Sequence, residues 1–410
     1  MPFTILGLSP ALLHALQAES YSAPTAIQTA TIPAVLQNQD VQGCAQTGSG
    51  KTLAFALPLL QRLEREGASG PRRARALILV PTRELAAQVG DTLKSLAQHL
   101  PAPVKVTVVF GGVSINPQMM GLRGGTDVIV ATPGRLLDLV DHNALTLASV
   151  EMLVLDEADR LLDLGFSEEL RRILGLLPPA RQNLLFSATF PEGVQALADQ
   201  LLRTPTRIDI PSNVSEQPEI TQRAFAVDTG RRTQLLRHLI LQEGWSRVLV
   251  FVASKHAAEI VADKLRKVHI DAEPFHGELS QGKRSQVLAD LKASRIKVVV
   301  ATDLAARGID IAQLPVVVNF DLPRSTVDYT HRIGRTGRAG EPGLAVSFVS
   351  ADTVPHFRLI QKRQQLQLPL ETVPGFEPTE VATAESSVGG VKGKRPNKKD
   401  KARALAARSS

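Results

Sequence analysis

The sequence predicts two tandem α/β domains, each a doubly wound parallel sheet flanked by helices, followed by a disordered basic tail. Three observations point to this architecture. Short, β-rich apolar runs alternate with longer segments of helical periodicity. The apolar runs are continuous rather than alternating, as strands buried on both faces require. The two halves of the chain also look alike. Leu77–Glu84 (LILVPTRE) is similar to Val248–Lys255 (VLVFVASK), and Val128–Arg135 (VIVATPGR) to Val298–Gly308 (VVVATDLAARG). Both pairs share an offset of about 170 residues, a domain-sized spacing. One such match could arise by chance, whereas two in register favour a duplicated fold.

Taken in chain order, the expected strands of the first half are Leu77–Val80, Val106–Phe110, Val128–Ala131, Met152–Leu155 and Asn183–Phe186. Those of the second half are Arg247–Val252, Ile296–Ala301, Val316–Phe320 and Leu344–Val349. A polar, proline-containing stretch at 210–219 reads as a linker, which places one domain at 1–209 and the other at 220–370. Beyond Leu370 large apolar residues are too few to offset ordering entropy, so 371–410 is expected to be disordered.

The chain has 410 residues and 43% hydrophobic content, enough for two cores. Its single cysteine, Cys44, excludes a disulfide framework and a cysteine-based zinc site, suits a reducing cytoplasm, and reads as a packing residue. The opening MPFTILGLSP lacks the basic and long apolar regions of a secretory signal. No uncharged apolar stretch is long enough for a bilayer, so the expectation is a cytoplasmic protein without membrane contact. Residues 391–410 hold eight Lys and Arg against one Asp, a net +7 equal to that of the whole chain. Residues 1–390 are therefore formally neutral. The tail is expected to give salt-sensitive, sequence-independent affinity for nucleic acid, or else to act as a solubilising end.

The chemistry is concentrated in three places. Gly48, Ser49, Gly50, Lys51 and Thr52 form a glycine-rich loop before the helical run LAFALPLLQRL. Glycines let backbone N–H groups close on phosphate oxygens, Lys51 brings a point charge to the outer phosphates, and Thr52 offers a hydroxyl to magnesium. Asp156-Glu157-Ala158-Asp159 follows the apolar run Met152–Leu155, at the end of an expected parallel strand, where such sheets place ligands. Asp156 suits the magnesium-holding acid, and Glu157 suits the group that orients or deprotonates attacking water. Arg335 and Arg338, within HRIGRTGR (His331–Arg338), stand three apart; on a helix they share one side and could act as arginine fingers. A phosphate cradle, an acidic metal holder and paired arginines are parts of an ATP-hydrolysing machine. If the halves are separate domains, the second completes a site on the first and hydrolysis requires closure.

With these motifs in this order and spacing, the chain resembles the DEAD-box RNA helicases of helicase superfamily two, from about Phe3 to about Leu370. Its short N-terminus and basic tail are most similar to the bacterial rhlE type. The resemblance implies two tandem RecA-like domains, ATP and Mg2+ as cofactors, and RNA as partner. It extends the phosphate loop to Ala45–Thr52 (AQTGSGKT), with Thr47 among the nucleotide contacts, and fits Ala45 where the generic loop has glycine. Tyr21–Gln28 (YSAPTAIQ) resembles the Q motif: Gln28 would read the adenine edge, with Phe3 stacked on the base, predicting ATP over GTP. Two departures appear, Ser20 where the family often has Gly and Ala26 where it often has Pro. Asp310 would approach the ribose.

RNA contacts are implied at Pro81, Thr82, Arg83, Gly111, Gly112, Thr132, Pro133, Gly134 and Arg135 in the first domain. In the second they are implied at Ser254, Gln281, Arg284, Thr302, Arg307 and Gly308. Hydroxyls, arginines and helix N-termini grip phosphates and sugars rather than base edges, so binding should be sequence-independent. Aromatic residues are only 4% of the chain, which argues against a base-stacking platform. Ser187, Ala188 and Thr189 would couple nucleotide state to unwinding, and His331 would pair with the acidic motif. The expected activity is RNA-stimulated ATP hydrolysis coupled to local, non-processive unwinding of short RNA duplexes or remodelling of RNA–protein complexes. A monomer is the default, with ribonucleoprotein or degradosome assemblies as partners. The rivals are a processive DNA translocase, disfavoured by the Q motif and the DEAD form of the acidic motif, and an ATP-gated RNA clamp in which turnover matters little.

Overall fold

The computed structural model of the chain describes residues 2–45, 48–66, 71–210, 220–306, 314–337 and 342–381. These divide into two compact units, one ending at 210 and one beginning at 220. The stretch 211–219, most of the expected linker, lies outside the described residues, as does the basic run 391–410.

The first unit is built on seven strands: β1 Val41–Cys44, β2 Ala76–Leu79, β3 Val106–Val109, β4 Val128–Ala131, β5 Met152–Leu155, β6 Gln182–Ser187 and β7 Thr206–Asp209. Their order across the sheet is β3-β4-β2-β5-β6-β1-β7, and every pairing is parallel. The second unit has β8 Ile220–Ala226, β9 Val248–Val252, β10 Ala272–Phe275, β11 Val298–Thr302, β12 Val316–Asn319, β13 Gly343–Val349 and β14 Leu370–Glu371. Its order is β10-β11-β9-β12-β13-β8-β14, again all parallel. Strand for strand the two orders are the same, which is the duplication that the internal similarity predicts.

Burial on both faces explains the unbroken apolar runs. In β2, Leu77 and Leu79 enter one core with Ile129, Leu153 and Leu185, while Ala76 and Ile78 enter another with Phe55, Val154 and Phe186. Gly43 has a packing reason: the Phe186 ring approaches to 2.5 Å of where a Cβ would lie. The second unit repeats the pattern with Val248, Val250, Val252, Val300, Val318 and Phe348.

The helices are placed by local chemistry as well. Thr82 Oγ1 accepts from Leu85 N at 3.3 Å and starts the helix Arg83–Ala97. At the equivalent place in the second unit, Ser254 Oγ accepts from Ala257 N at 3.1 Å and starts Lys255–Arg266. Both hydroxyls, expected to contact RNA, thus also serve as helix N-caps.

The expected disorder from 371 onward is corrected by the structure. Glu371 lies in β14, which pairs with β8, and its carboxylate accepts from the Arg223 guanidinium. Farther on, Val373 and Phe376 pack on the second core, and Asp228 accepts from the backbone N–H groups of Thr379 and Glu380. An exposed sheet edge and a paired carboxylate hold a segment that composition alone leaves free.

Candidate active site and nucleic-acid interface

In the first unit the phosphate loop joins β1 to the helix Lys51–Glu66. Gly48 and Gly50 have φ of 85° and 91°, the left-handed region that a side chain would strain. Gly50 is also crowded: a Cβ there would meet Gln28 Nε2 at 2.4 Å. Lys51 is buried, its ammonium donating to the Ala45 carbonyl at 2.8 Å. Ser49 Oγ is buried with no hydrogen-bond partner among the described residues, as expected of a loop shaped for an outside group. Thr47 lies outside the described residues.

Asp156 closes β5. It is 3% exposed, and its Oδ1 accepts from Glu157 N at 2.9 Å. Burial pushes its carboxyl up to about 6; Lys51 pulls it down and Glu157 pushes it further up. A divalent cation would relieve that burial penalty. Among the described residues no three His, Cys, Asp or Glu side chains converge as a cage. The Asp156 carboxylate is a hard oxygen donor, the type that magnesium takes. Glu157 has φ of 52°, in the left-handed region that is uncommon for a residue with a side chain.

The acidic motif is tied to Ser187-Ala188-Thr189. Asp159 Oδ2 accepts from both the backbone N–H (3.2 Å) and Oγ1 (2.9 Å) of Thr189. Ser187 Oγ accepts from Asp159 N at 3.2 Å and donates to the Thr189 carbonyl at 2.7 Å. The Cys44 thiol, raised by burial and by Asp209, lies 3.8 Å from the Ala188 carbonyl, in line with a packing role. Asp159 is the residue sequence reasoning left without a role; its place in the acidic quartet was the available signal.

Two nucleotide contacts implied by resemblance are engaged within the protein. Gln28 is 2% exposed; its Oε1 accepts from Thr25 N and its Nε2 donates to the Gly50 carbonyl, each at 3.0 Å. The side chain therefore caps its own helix and tethers the phosphate loop. Phe3 is 6% exposed and belongs to the first core, so its ring is already covered by protein neighbours. Asp310 lies outside the described residues.

The expected RNA-contacting segments of the first unit converge at the carboxyl ends of β2, β3 and β4. Gly111 N donates to Thr132 Oγ1 at 3.3 Å, and a Cβ on Gly112 would come within 3.2 Å of the Arg83 guanidinium. Pro81 and Thr82 precede Arg83, while Pro133 and Gly134 open the helix Pro133–Asp141. Arg135 differs from expectation. It is 8% exposed and donates from Nη2 to the Val113 carbonyl at 2.7 Å, so it braces the glycine loop from below.

In the second unit, Ser254, Gln281 and Thr302 follow or end β9, β10 and β11, the equivalent strand ends. Arg284, another expected RNA contact, is 2% exposed and donates to the carbonyls of His276 and Ala305. Its guanidinium is spent on protein oxygens. Arg307 and Gly308 lie outside the described residues. His331 is carried by the helix Thr326–Ile333, its Nδ1 buried without a hydrogen-bond partner among the described residues. Arg335 follows in the turn and is 9% exposed; Arg338 lies outside the described residues. Sequence reasoning missed Arg332, which forks onto Asp303 at 2.6 and 2.7 Å, donates to Asn319 Oδ1 and the Asp321 carbonyl, and lies over the Phe251 ring. It fixes the helix that presents His331.

Comparison with known proteins agrees with this geometry. Residues 25–197 match the family model "DEAD/DEAH box helicase", and residues 231–340 match "Helicase conserved C-terminal domain". The chain is 38% identical to the ATP-dependent RNA helicase DeaD of Escherichia coli over 92% of its own length and 59% of that protein. It is 40% identical to the DEAD-box ATP-dependent RNA helicase CshA of Bacillus cereus over 85% of its length and 65% of that protein. It thus spans about 57 to 65% of the length of the first curated relatives it matches. Among solved structures, S. cerevisiae Dbp5 bound to RNA and ADP BeF3 superposes with a TM-score of 0.79 at 30% identity, covering 90% of this chain and 95% of that one. A DEAD box protein from Methanococcus jannaschii superposes with a TM-score of 0.52 at 34% identity, covering 91% and 99%.

Proposed function

This chain belongs to the DEAD-box helicase family, and from that premise we propose that it is an ATP-dependent RNA helicase, coupling RNA-stimulated ATP hydrolysis to local, non-processive unwinding of short duplexes or to remodelling of RNA–protein complexes. The observation that carries the reading is the linkage in the first unit. Asp156 and Glu157 are continuous with Asp159, which grips Thr189. These bonds support a coupling of nucleotide chemistry at the acidic motif to the Ser187–Thr189 segment.

In this reading Lys51 and the N–H groups of residues 48–52 hold the phosphates, leaving Ala45 for the nucleotide. Thr52 and Asp156 would hold Mg2+, which neutralises phosphate charge when bound. Glu157 orients or deprotonates the attacking water. Arg335 and Arg338 stabilise charge on the transferred phosphoryl group. Asp310 takes the ribose, and Gln28 takes the adenine with its remaining lone pair and N–H. The strand-end loops of both units bind the RNA backbone, with 2′-hydroxyl contacts favouring RNA over DNA. Linkage then requires that RNA tighten ATP binding to the degree that ATP tightens RNA binding. No helix among the described residues is long and apolar enough to cross a membrane; a cytoplasmic monomer that joins ribonucleoprotein assemblies is the setting we propose.

The test is ATP turnover with single-stranded RNA, duplex RNA and duplex DNA, each at two salt concentrations. Stimulation by RNA supports the reading, and stimulation by duplex DNA alone would sink it. Glu157→Gln should abolish turnover while sparing ATP-dependent RNA retention; preserved turnover would remove Glu157 from its role and favour a clamp-like account of the motif.

A further inference from the structure

Arg284 lies in the first turn of the helix Gln281–Lys292 and is among the largest fully buried side chains of the protein. Its Nη1 donates to the His276 carbonyl at 3.2 Å and its Nη2 to the Ala305 carbonyl at 3.3 Å. The guanidinium carbon lies 4.5 Å from the centre of the Phe275 ring, itself fully buried. A planar fork spans two diverging carbonyls while stacking flat on a ring; the compact ammonium of lysine lacks that rigid, planar pair of donors. At 2% exposure the guanidinium is covered by protein in this structure.

The groups that Arg284 joins are informative. Phe275 ends β10 and His276 follows it. Ala305 belongs to the helix Asp303–Ala306, immediately after Thr302 at the end of β11. His276 in turn meets Glu259 at 2.7 Å, on the helix that Ser254 caps. One guanidinium therefore ties the carriers of Gln281 and Thr302 to each other, and through His276 to the helix begun by Ser254. The first unit contains a parallel device, Arg135 holding the Val113 carbonyl beside Gly111 and Gly112. Losing such a fork strands buried carbonyls and lets three loops relax separately.

We propose that Arg284 is a positioning residue for RNA binding, setting the spacing of the strand-end loops of the second unit, and that it does not itself contact the RNA. The proposal rests on the RNA-helicase reading above. A phosphate contact and a positioning fork differ in what lysine can rescue. Lysine keeps the charge that a phosphate would feel but loses the fork.

The experiment uses the full chain with Arg284→Lys, Arg284→Ala, Phe275→Leu and the double variant of Phe275→Leu with Arg284→Lys. Two quantities are read with single-stranded oligouridine: the concentration giving half-maximal ATPase stimulation, and the slope of log affinity against log salt. Positioning predicts that R284K and R284A both raise the half-saturating concentration, by on the order of tenfold. F275L should shift it in the same direction, adding little on top of R284K. The proposal is overturned if R284K keeps the affinity of the unaltered chain while R284A lowers the salt slope by about 0.7, the signature of one lost phosphate contact on a single strand. If the Arg284 variants do not fold, F275L decides alone, and unchanged RNA affinity in a folded F275L chain overturns the proposal. Failure of the helicase reading is told apart because the unaltered chain would then show no RNA response; that result overturns both.

Discussion

Asp159 Oδ2 is shared between the backbone N–H and the side-chain hydroxyl of Thr189, so one carboxylate oxygen of the acidic motif holds the start of the loop that follows β6. Thr189→Ala removes the 2.9 Å hydroxyl bond and keeps the backbone one. A hydrogen bond to a charged acceptor is worth about 1.5–3 kcal/mol. The expected result is a fall in strand separation per ATP of on the order of tenfold, with RNA-stimulated turnover changed only a few-fold. Parallel unwinding and ATPase assays on one preparation measure it; equal losses in both would show that the contact serves the fold rather than coupling.

Asp156 makes the nucleotide-free protein sensitive to pH. Its carboxyl is raised from 3.8 to about 6, first by burial, so between those values the folded state holds a proton that the unfolded state has released. The stabilisation is complete below about 3.8 and is lost as the pH rises through about 6. Thermal unfolding of metal-free protein should therefore show this group's contribution declining between about pH 3.8 and about pH 6 and level above that, and Asp156→Asn should remove that part of the slope. Because Lys51 lowers the carboxyl, Lys51→Met should extend the decline to higher pH. A slope unaltered by Asp156→Asn would assign the titration elsewhere.

Gln28 separates two roles in one amide. Gln28→Glu keeps an oxygen to accept from Thr25 N but cannot donate to the Gly50 carbonyl, and sets a carboxylate against it. Nucleotide affinity should fall on the order of tenfold, the loss of about one good hydrogen bond. Because the tether acts on the phosphate loop, GTP should weaken along with ATP. Gln28→Ala loses the helix cap as well and should also unfold at lower temperature, by about 1 kcal/mol. Titration with both nucleotides measures this; a fall confined to ATP would return Gln28 to base reading alone.

How much of this was legible in the sequence depends on which force decided each element. Val248–Val252 and Met152–Leu155 were readable because burial on both faces leaves only apolar residues. Three of the five missed strands lack that signature for clear physical reasons. β10 (AEPF) is an edge strand that tolerates Pro274, β7 (TRID) is an edge with exposed Arg207 and Asp209, and β1 (VQGC) gives up a side chain at Gly43 to admit Phe186. At the site, letters and spacing located Lys51, Asp156, Glu157 and the Ser187–Thr189 segment. They could not foretell what Arg135 and Arg284 touch, because the partners are backbone carbonyls in other loops, which no side-chain pattern encodes.

Ser20 stands where the family often has glycine, and the backbone explains why. The helix Pro10–Ala18 ends with Ser20 N bonded to the Gln17 carbonyl and Tyr21 N to the Leu16 carbonyl, the double closure that needs a left-handed residue between them. Ser20 takes it with φ of 63°. Ser20→Gly should stabilise the first unit by up to about 1 kcal/mol, visible as a higher unfolding temperature. A lower midpoint would mean that unfolded-state entropy outweighs the strain. Ala26 has a similar account: it opens the helix Ala26–Leu36, a position where proline is pre-organised.

The segment after β14 yields the last prediction. Phe376 packs on the second core, 5.3 Å from the His238 ring and 5.2 Å beneath Arg231, while Asp228 accepts from the N–H groups of Thr379 and Glu380. Those bonds, led by the one from Glu380, hold the Asp228 carboxyl below its ordinary value. A depressed carboxyl stabilises above its unfolded value and loses that contribution as the pH falls through the folded one, so the segment is held at neutral pH and loosens in acid. Phe376→Ala should lower second-unit stability by about 1–2 kcal/mol for a half-buried ring. Truncation after Val381 should leave the unfolding temperature unchanged, whereas truncation before Leu370 should lower it and unpair the edge of β8. Equal melting of the two truncated chains would mean that 370–381 rests on the unit without supporting it, and the boundary at 370 would then be the true end of the fold.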